Sequence, residues 1–352
     1  MRSQRVAVVG GGVIGSTVAL RLAEAGVSVT VYDRGDSTAA SGVAAGLLAP
    51  VTETGFGDTG LLNLMITSAR LWPGFAAELN RYTDVAYRAC GTLLVGLDDV
   101  DRAELDRHEA LCRRSGIAVQ RHDGNECRVI EPGMSRLVRD GLSVPEDHQV
   151  NPRRVMSALV KAGDAVGVQR VAADIDDVSA LEADRVVVAA GSWSSAVERL
   201  PVRPVSGQVV RLRSGASTPV PGRCVRAIHR GRSVYIVPRV DGEVVIGASH
   251  RETGYDGTAR AGETAALLTA AVEVFAELAE YHVAEINVGF RPGTDDNAPI
   301  LGPVGDGRVV AATGHYRNGI LLAPITAHLI SRYIVDGVVP ADMTPFAVNR
   351  FA

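Results

Sequence analysis

The chain opens on a short run of β-branched and small apolar residues, 5–9, which stops at three consecutive glycines and gives way to apolar positions at helical spacing over 13–25. A continuous apolar run followed by a period near 3.6 predicts strand, turn and helix. Gly26 stands where a left-handed residue past a helix end belongs, and 27–33 then alternates and ends on an acid, a second strand. Two strands joined by a crossover helix pair in the parallel sense, so this segment predicts half of a mononucleotide-binding fold.

From Tyr87 the pattern changes. Residues 88–96 read as a strand and 99–115 as an amphipathic helix, which predicts an inserted second unit. Pro152 at a helix start precedes 153–162, and 185–191 is the kind of continuous apolar strand that a parallel sheet buries on both faces. A second excursion brings strands at 208–212, 234–238 and 243–247, a helix at 263–278, and a return at 288. The expected fold class is α/β: a Rossmann-like cofactor-binding domain from 1–85, 146–205 and 287–352, interleaved with an antiparallel-sheet (α+β) substrate domain from 86–145 and 206–286.

Composition narrows the class. The chain has 352 residues, 46% of them hydrophobic and 38 of them glycine, enough for two packed units around a shared ligand. With 36 basic and 40 acidic residues and no long run of either sign, nothing points to nucleic acid or a membrane surface. No apolar run reaches the roughly 20 residues that span a bilayer, and Met1 to Arg5 leads straight into the first strand, so no signal peptide is expected and a cytoplasmic location is. The four cysteines, Cys90, Cys112, Cys127 and Cys224, have neither CxxC pairing nor metal-ligand spacing, so free thiols and no metal are expected.

The chemistry-bearing motifs lie at both ends. In Gly10-x-Gly12-x-x-Gly15 the glycines let the backbone approach a pyrophosphate and aim a helix N-terminus at it, with Val13 and Ile14 opening that helix. Asp33, 23 positions after Gly10, is spaced to accept hydrogen bonds from an adenosine ribose. The small-residue segment 37–50 either forms a flexible loop or lends backbone amides and the hydroxyls of Ser37, Thr38 and Ser41 to the rest of the cofactor. Near the C-terminal end, 314–324 is a glycine-bounded loop opening a helix. Arg291 and Arg317 both sit in glycine-bounded turns. A lone arginine is usually a solvated charge, but a pair in rigid turns suits a carboxylate clamp, because guanidinium is always charged and grips bidentately. Tyr235 is either a half-buried sheet aromatic or a phenol for the same carboxylate. His250, counted with Tyr235, Arg291 and Arg317 among the candidate catalytic residues, and His315 are candidate bases, but neither has a Ser, Cys or Asp partner in sequence, so hydrolytic triad chemistry has no support.

These motifs occur in the order found in the D-amino-acid oxidase superfamily of FAD-dependent oxidoreductases, and the chain resembles the glycine oxidases of bacterial thiamine biosynthesis over nearly its whole length. The resemblance rests on the N-terminal fingerprint, Val186 to Ser194, Tyr235 to Arg239, Phe290 to Thr294 and, most discriminating, Gly314 to Pro324. It implies FAD held by Val13, Ile14, Asp33, Arg34, Ser41, Ala45, Gly46, Leu47 and the Ile175 backbone. The segment His315, Tyr316, Arg317, Asn318, Gly319, Ile320 and Leu321 would line the pyrimidine end of the flavin.

The same resemblance implies a substrate carboxylate held by Arg291 and Tyr235, with Arg317 supporting flavin and clamp. Hydride passes from Cα to the flavin, with O2 reduced to hydrogen peroxide; the imine hydrolyses to glyoxylate and ammonia or goes to a thiazole-forming partner. Sarcosine oxidases attach flavin through a late cysteine; none follows Cys224 here, so noncovalent FAD is expected. A homo-oligomer is expected as well. His250 and Ser233 depart from the family's methionine and histidine and so bear on substrate size. The alternatives are a D-amino-acid or N-methyl amino-acid oxidase or dehydrogenase, and a catalytically silent FAD-binding scaffold.

Overall fold

The computed structural model describes residues 4–52, 59–215, 218–229 and 232–352; the expectation for the first three residues lies outside them. Strand Arg5–Val9, its last four residues buried, runs parallel to Ser28–Asp33 on one side and to Arg185–Val188 on the other. The full order of this six-stranded sheet is Ile300–Val304, Val309–Thr313, Arg185–Val188, Arg5–Val9, Ser28–Asp33, Gln169–Ala172, parallel throughout except at its Ile300–Val304 edge. Helix Val13–Glu24 is stopped by Gly26 at φ +82°, as its glycine predicts. Packed beside it, helix Gly319–Asp336 buries Leu321, Leu322, Ile325 and Leu329 in the same core as Val18 and Leu22.

The second sheet has eight strands, in the order His282–Gly293, Arg203–Arg213, Glu243–Gly247, Arg232–Pro238, Cys224–His229, Thr92–Gly96, Asp140–Val144, Gln120–Asp123. Only Cys224–His229 and Thr92–Gly96 pair in parallel. Arg203–Arg213 and His282–Gly293 stay paired from Arg213 opposite His282 to Arg203 opposite Gly293, so the expected boundaries before 206 and after 286 fall inside one ladder. On one face of this sheet lies helix Ala261–Val274, which buries Leu267, Ala271 and Val274 against Val210, Val234 and Ile246. Among the described residues no helix is long and apolar enough to cross a membrane.

Three elements differ from expectation for local reasons. The strand read over 88–96 is only Thr92–Gly96, because Gly91 takes φ +72°, and Arg88 bridges to Gln149 instead. The 263–278 helix breaks at Phe275, which turns extended and lays its ring where a Gly133 side chain would be. The apolar run to Gly191 leaves the sheet after Val188 and closes in a 3-10 turn, Gly191–Trp193. The two sheets meet through the 37–50 segment, where the Phe290 N–H donates to Thr38 O at 3.1 Å.

Candidate functional site

A cavity of about 1390 Å³ lies between the sheets. At one end the glycine turn does what its spacing implies. Gly10 sits at φ +106°, and a Cβ there would fall 2.4 Å from Ala189 O. At Gly15 a Cβ would reach within 1.9 Å of Gly10 O, so Gly15 lets helix and strand approach while remaining off the cavity wall. Gly12 leaves the helix N-terminus without a side-chain cap, and the Val13 N–H donates to Ser41 Oγ at 3.0 Å. This end, with Ile14 beside it, is a positive helix terminus opening on the cavity.

The Asp33 carboxylate reaches the same end, accepting from the Gly11 N–H and, at 2.6 Å, from the Gly35 N–H. Gly11 therefore joins the residues that place the acid; a Cβ there would meet Asp33 Oδ2 at 2.8 Å. Arg34 stacks its guanidinium 4.2 Å from the Trp193 ring centre and pairs with Asp36 at 2.9 Å, and Ile175 completes this wall.

Midway along the cavity the small-residue segment is ordered rather than a free loop, with a short helix, Ala40–Val43, and a two-residue strand, Leu47–Leu48. Of its three hydroxyls only Ser41 lines the cavity; Thr38 turns to the Asp36 carboxylate. Gly46, at φ +83°, lets the backbone pass where a Cβ would sit 2.1 Å from Val150 O, and it lines the wall with Ala45 and Leu47. A side chain given no role by the sequence pins this region. Buried Arg239 donates to Gln149 Oε1 at 2.6 Å, to Val150 O at 2.8 Å and to Ala45 O. Burial lowers its pKa to about 10, which leaves it charged at neutral pH.

The 314–321 segment closes the far end. His315 is buried with Nε2 3.0 Å from Thr326 Oγ1, and burial lowers its pKa to about 3, so it is neutral. Tyr316 takes the left-handed region, φ +50°, and its N–H donates to Pro292 O at 2.9 Å. Helix Gly319–Asp336 then begins with no side-chain cap from Asn318. Gly319, Ile320 and Leu321 face the cavity, and Ser68 and Trp72 steady this first turn by donating to Leu321 O at 2.6 and 2.9 Å.

Beside that turn, one face of the eight-stranded sheet brings polar groups together. Arg291 lies across Gly207, whose missing Cβ would stand 2.3 Å from the guanidinium nitrogens, and donates to Ser249 O at 3.1 Å. Tyr235 lies across Gly247, opposite it in the ladder, where a Cβ would meet the phenol oxygen at 2.3 Å. His250 Nδ1 is 3.1 Å from the Tyr316 hydroxyl; burial, then the Arg317 and Arg291 charges, lower its pKa. Exposed Arg317 stacks 5.3 Å from the Tyr316 ring centre at the cavity rim. The sequence reading passed over Gly207, Gly247 and Arg226, which lines this end. Glycine inside a strand was the available signal of a close approach.

These residues fit FAD. A helix N-terminus whose N-cap residue supplies no side chain suits the pyrophosphate at one end, a second such terminus at the other end suits the polar edge of a flavin, and Asp33 suits the ribose, all along one elongated cavity.

A family model described as FAD-dependent oxidoreductase matches residues 5–333. The chain is 32% identical to the bifunctional protein ThiO/ThiG of Trichormus variabilis, covering 98% of this chain and 55% of that one. It is 30% identical to a glycine oxidase of Geobacillus kaustophilus, covering 98% and 96%. The chain spans about half the length of the first curated relatives it matches. The crystal structure of glycine oxidase from Geobacillus kaustophilus superposes with a TM-score of 0.91 at 29% identity, covering 99% of each chain.

Proposed function

The chain belongs to the family of FAD-dependent oxidoreductases, and from that premise we propose that it oxidises the amine of glycine, giving the imine and, with O2, hydrogen peroxide. The observation that carries this reading is the pair of side chains laid across strand glycines, Arg291 over Gly207 and Tyr235 over Gly247, on the cavity face of the second sheet. When bound, FAD supplies the acceptor for two electrons and the hydrogen leaving the substrate Cα.

The rest belongs to the chain. Arg291 grips the substrate carboxylate with charge-assisted hydrogen bonds and Tyr235 adds a phenol donor, which fixes the Cα and turns a bimolecular step into an oriented one. His250, its pKa lowered by partial desolvation and then by the Arg317 and Arg291 charges, orients the Tyr316 hydroxyl. Arg317 adds positive potential at the rim that draws in a carboxylate. His315, Tyr316, Asn318 and the helix that follows hold the flavin end, and Gly10, Gly12, Val13, Ile14, Asp33, Arg34, Ser41, Ala45, Gly46, Leu47 and Ile175 hold the remainder of a noncovalent FAD. No side chain is required to remove the Cα hydrogen as a proton.

The imine hydrolyses or passes to a thiazole-forming enzyme; the relatives named ThiO/ThiG support such a partner. A homo-oligomer in the cytoplasm completes the proposal. The test is peroxide release from the FAD-loaded protein with glycine, sarcosine, D-alanine and D-proline. Glycine is expected to be turned over; peroxide only with the bulkier substrates would assign a D-amino-acid or N-methyl amino-acid oxidase, and dye reduction without peroxide a dehydrogenase.

A further inference from the structure

We propose that Cys90 and Cys224 form a redox-active pair, a modification site at which hydrogen peroxide closes a reversible disulfide behind the cofactor wall. Both are free thiols, and neither lines the large cavity. Gly91, at φ +72°, turns the chain just before Thr92, the strand residue paired directly with Cys224. There the Cys90 side chain packs with Cys224 in the apolar cluster of Ala45, Val237 and Val245, and the two side chains hydrogen-bond to each other.

The two sulfurs are not equivalent. Cys224 is fully buried, whereas Cys90 is half-buried and lines a small recess of about 150 Å³ with Thr92, Ser143, Pro145 and Arg223. Cys90 also accepts from Gln149 Nε2 at 3.4 Å. The Cys224 hydrogen bond first, then that of Gln149 and the Arg88 charge, lower its pKa to about 5 against the opposing effect of burial, while Cys224 is raised and keeps its proton. A thiolate within reach of a small oxidant and hydrogen-bonded to a second thiol is the arrangement of an attacking and a resolving cysteine. Cys112 and Cys127 are fully buried, with pKa values pushed up by burial to about 12 and about 11, and so are protected.

The chemistry needs only the pair and the oxidant. The Cys90 thiolate attacks one peroxide oxygen, so that an S–O bond forms, the O–O bond breaks and hydroxide leaves. Cys224 then attacks the sulfenic sulfur; an S–S bond forms, and the hydroxyl departs with the Cys224 proton as water. The sulfurs together lose two electrons, which reduce the peroxide, and a thiol reductant reverses the change. Gln149, which caps the thiolate, takes the Arg239 guanidinium on Oε1 at 2.6 Å, and Arg239 also donates to Ala45 O in the cavity wall. Peroxide is a product of the proposed amine oxidation, but the site and its test do not depend on that reading.

The experiment adds a modest excess of hydrogen peroxide to the FAD-loaded protein without substrate. Of the four thiols, two are expected to be lost to a thiol reagent under denaturing conditions and to return after dithiothreitol. Peptide mapping should find Cys90 joined to Cys224. In Cys224→Ser the reaction should stop at a Cys90 sulfenic acid that dimedone traps, and Cys90→Ser should lose no thiol. Should either variant fail to fold, the wild-type peptide map decides. Four thiols remaining, a disulfide between other cysteines, or overoxidised Cys90 without a link to Cys224 would each overturn the proposal.

Discussion

The two ends of the cavity are built on different plans. The end under the six-stranded sheet is shaped by backbone: Gly10, Gly12 and Gly15, all from one continuous stretch. The end over the eight-stranded sheet presents side chains from separate elements, among them Tyr235 and Arg291, each admitted by a glycine on another strand. A backbone site tolerates no added atom, because its groups cannot move aside. A side-chain site tolerates change in proportion to how far the displaced side chain can shift.

That contrast is broken most severely at Gly15. Gly15→Ala places a methyl 1.9 Å from Gly10 O, so the purified protein should carry almost no FAD; full FAD occupancy would refute the backbone plan. At the other end, Arg291→Ala should keep FAD and raise KM for glycine by about 10³-fold or more through loss of a charge-assisted bidentate grip, read from initial rates. An unchanged KM removes Arg291 from the site. Gly247→Ala sharpens the comparison, since its methyl would displace only the Tyr235 phenol. A KM increase of about tenfold with normal FAD content is expected, the size of one lost hydrogen bond.

The smallest effect is on stability. The folded state holds His315 neutral, its pKa lowered from 6.5 to about 3 by burial, whereas the unfolded chain takes up that proton below 6.5. The unfolded state thus binds more protons between these values, so this contribution is intact above pH 6.5 and is lost as pH falls toward 3. Urea midpoints at pH 7 and pH 5 should differ less in His315→Gln than in the wild type. Equal differences would mean that His315 is not held neutral.

The same contrast explains what the sequence made legible. Gly10 to Gly15, Asp33 and the 314–321 turn are contiguous signals whose geometry follows from spacing, and the strand, helix and parallel pairing of 5–33 follow with them. Tyr235 and Arg291 were legible as residue types in motifs. That Gly247 and Gly207 make room for them was not, because which side chain crosses which glycine depends on ladder register. Arg226 was hidden for the same reason, lying near Tyr235 only through the pairing of two strands. Arg239 escaped because its work is to tie Ala45, Gln149 and Val150, three points that come together only in the fold.

The most direct test of the two-ended site is anaerobic addition of glycine to the FAD-loaded protein while the visible absorbance of the oxidised flavin is followed. Bleaching by glycine, lost in Arg291→Ala at the same concentration, is expected. A wild-type spectrum unchanged by saturating glycine would contradict the assignment of this cavity to glycine oxidation.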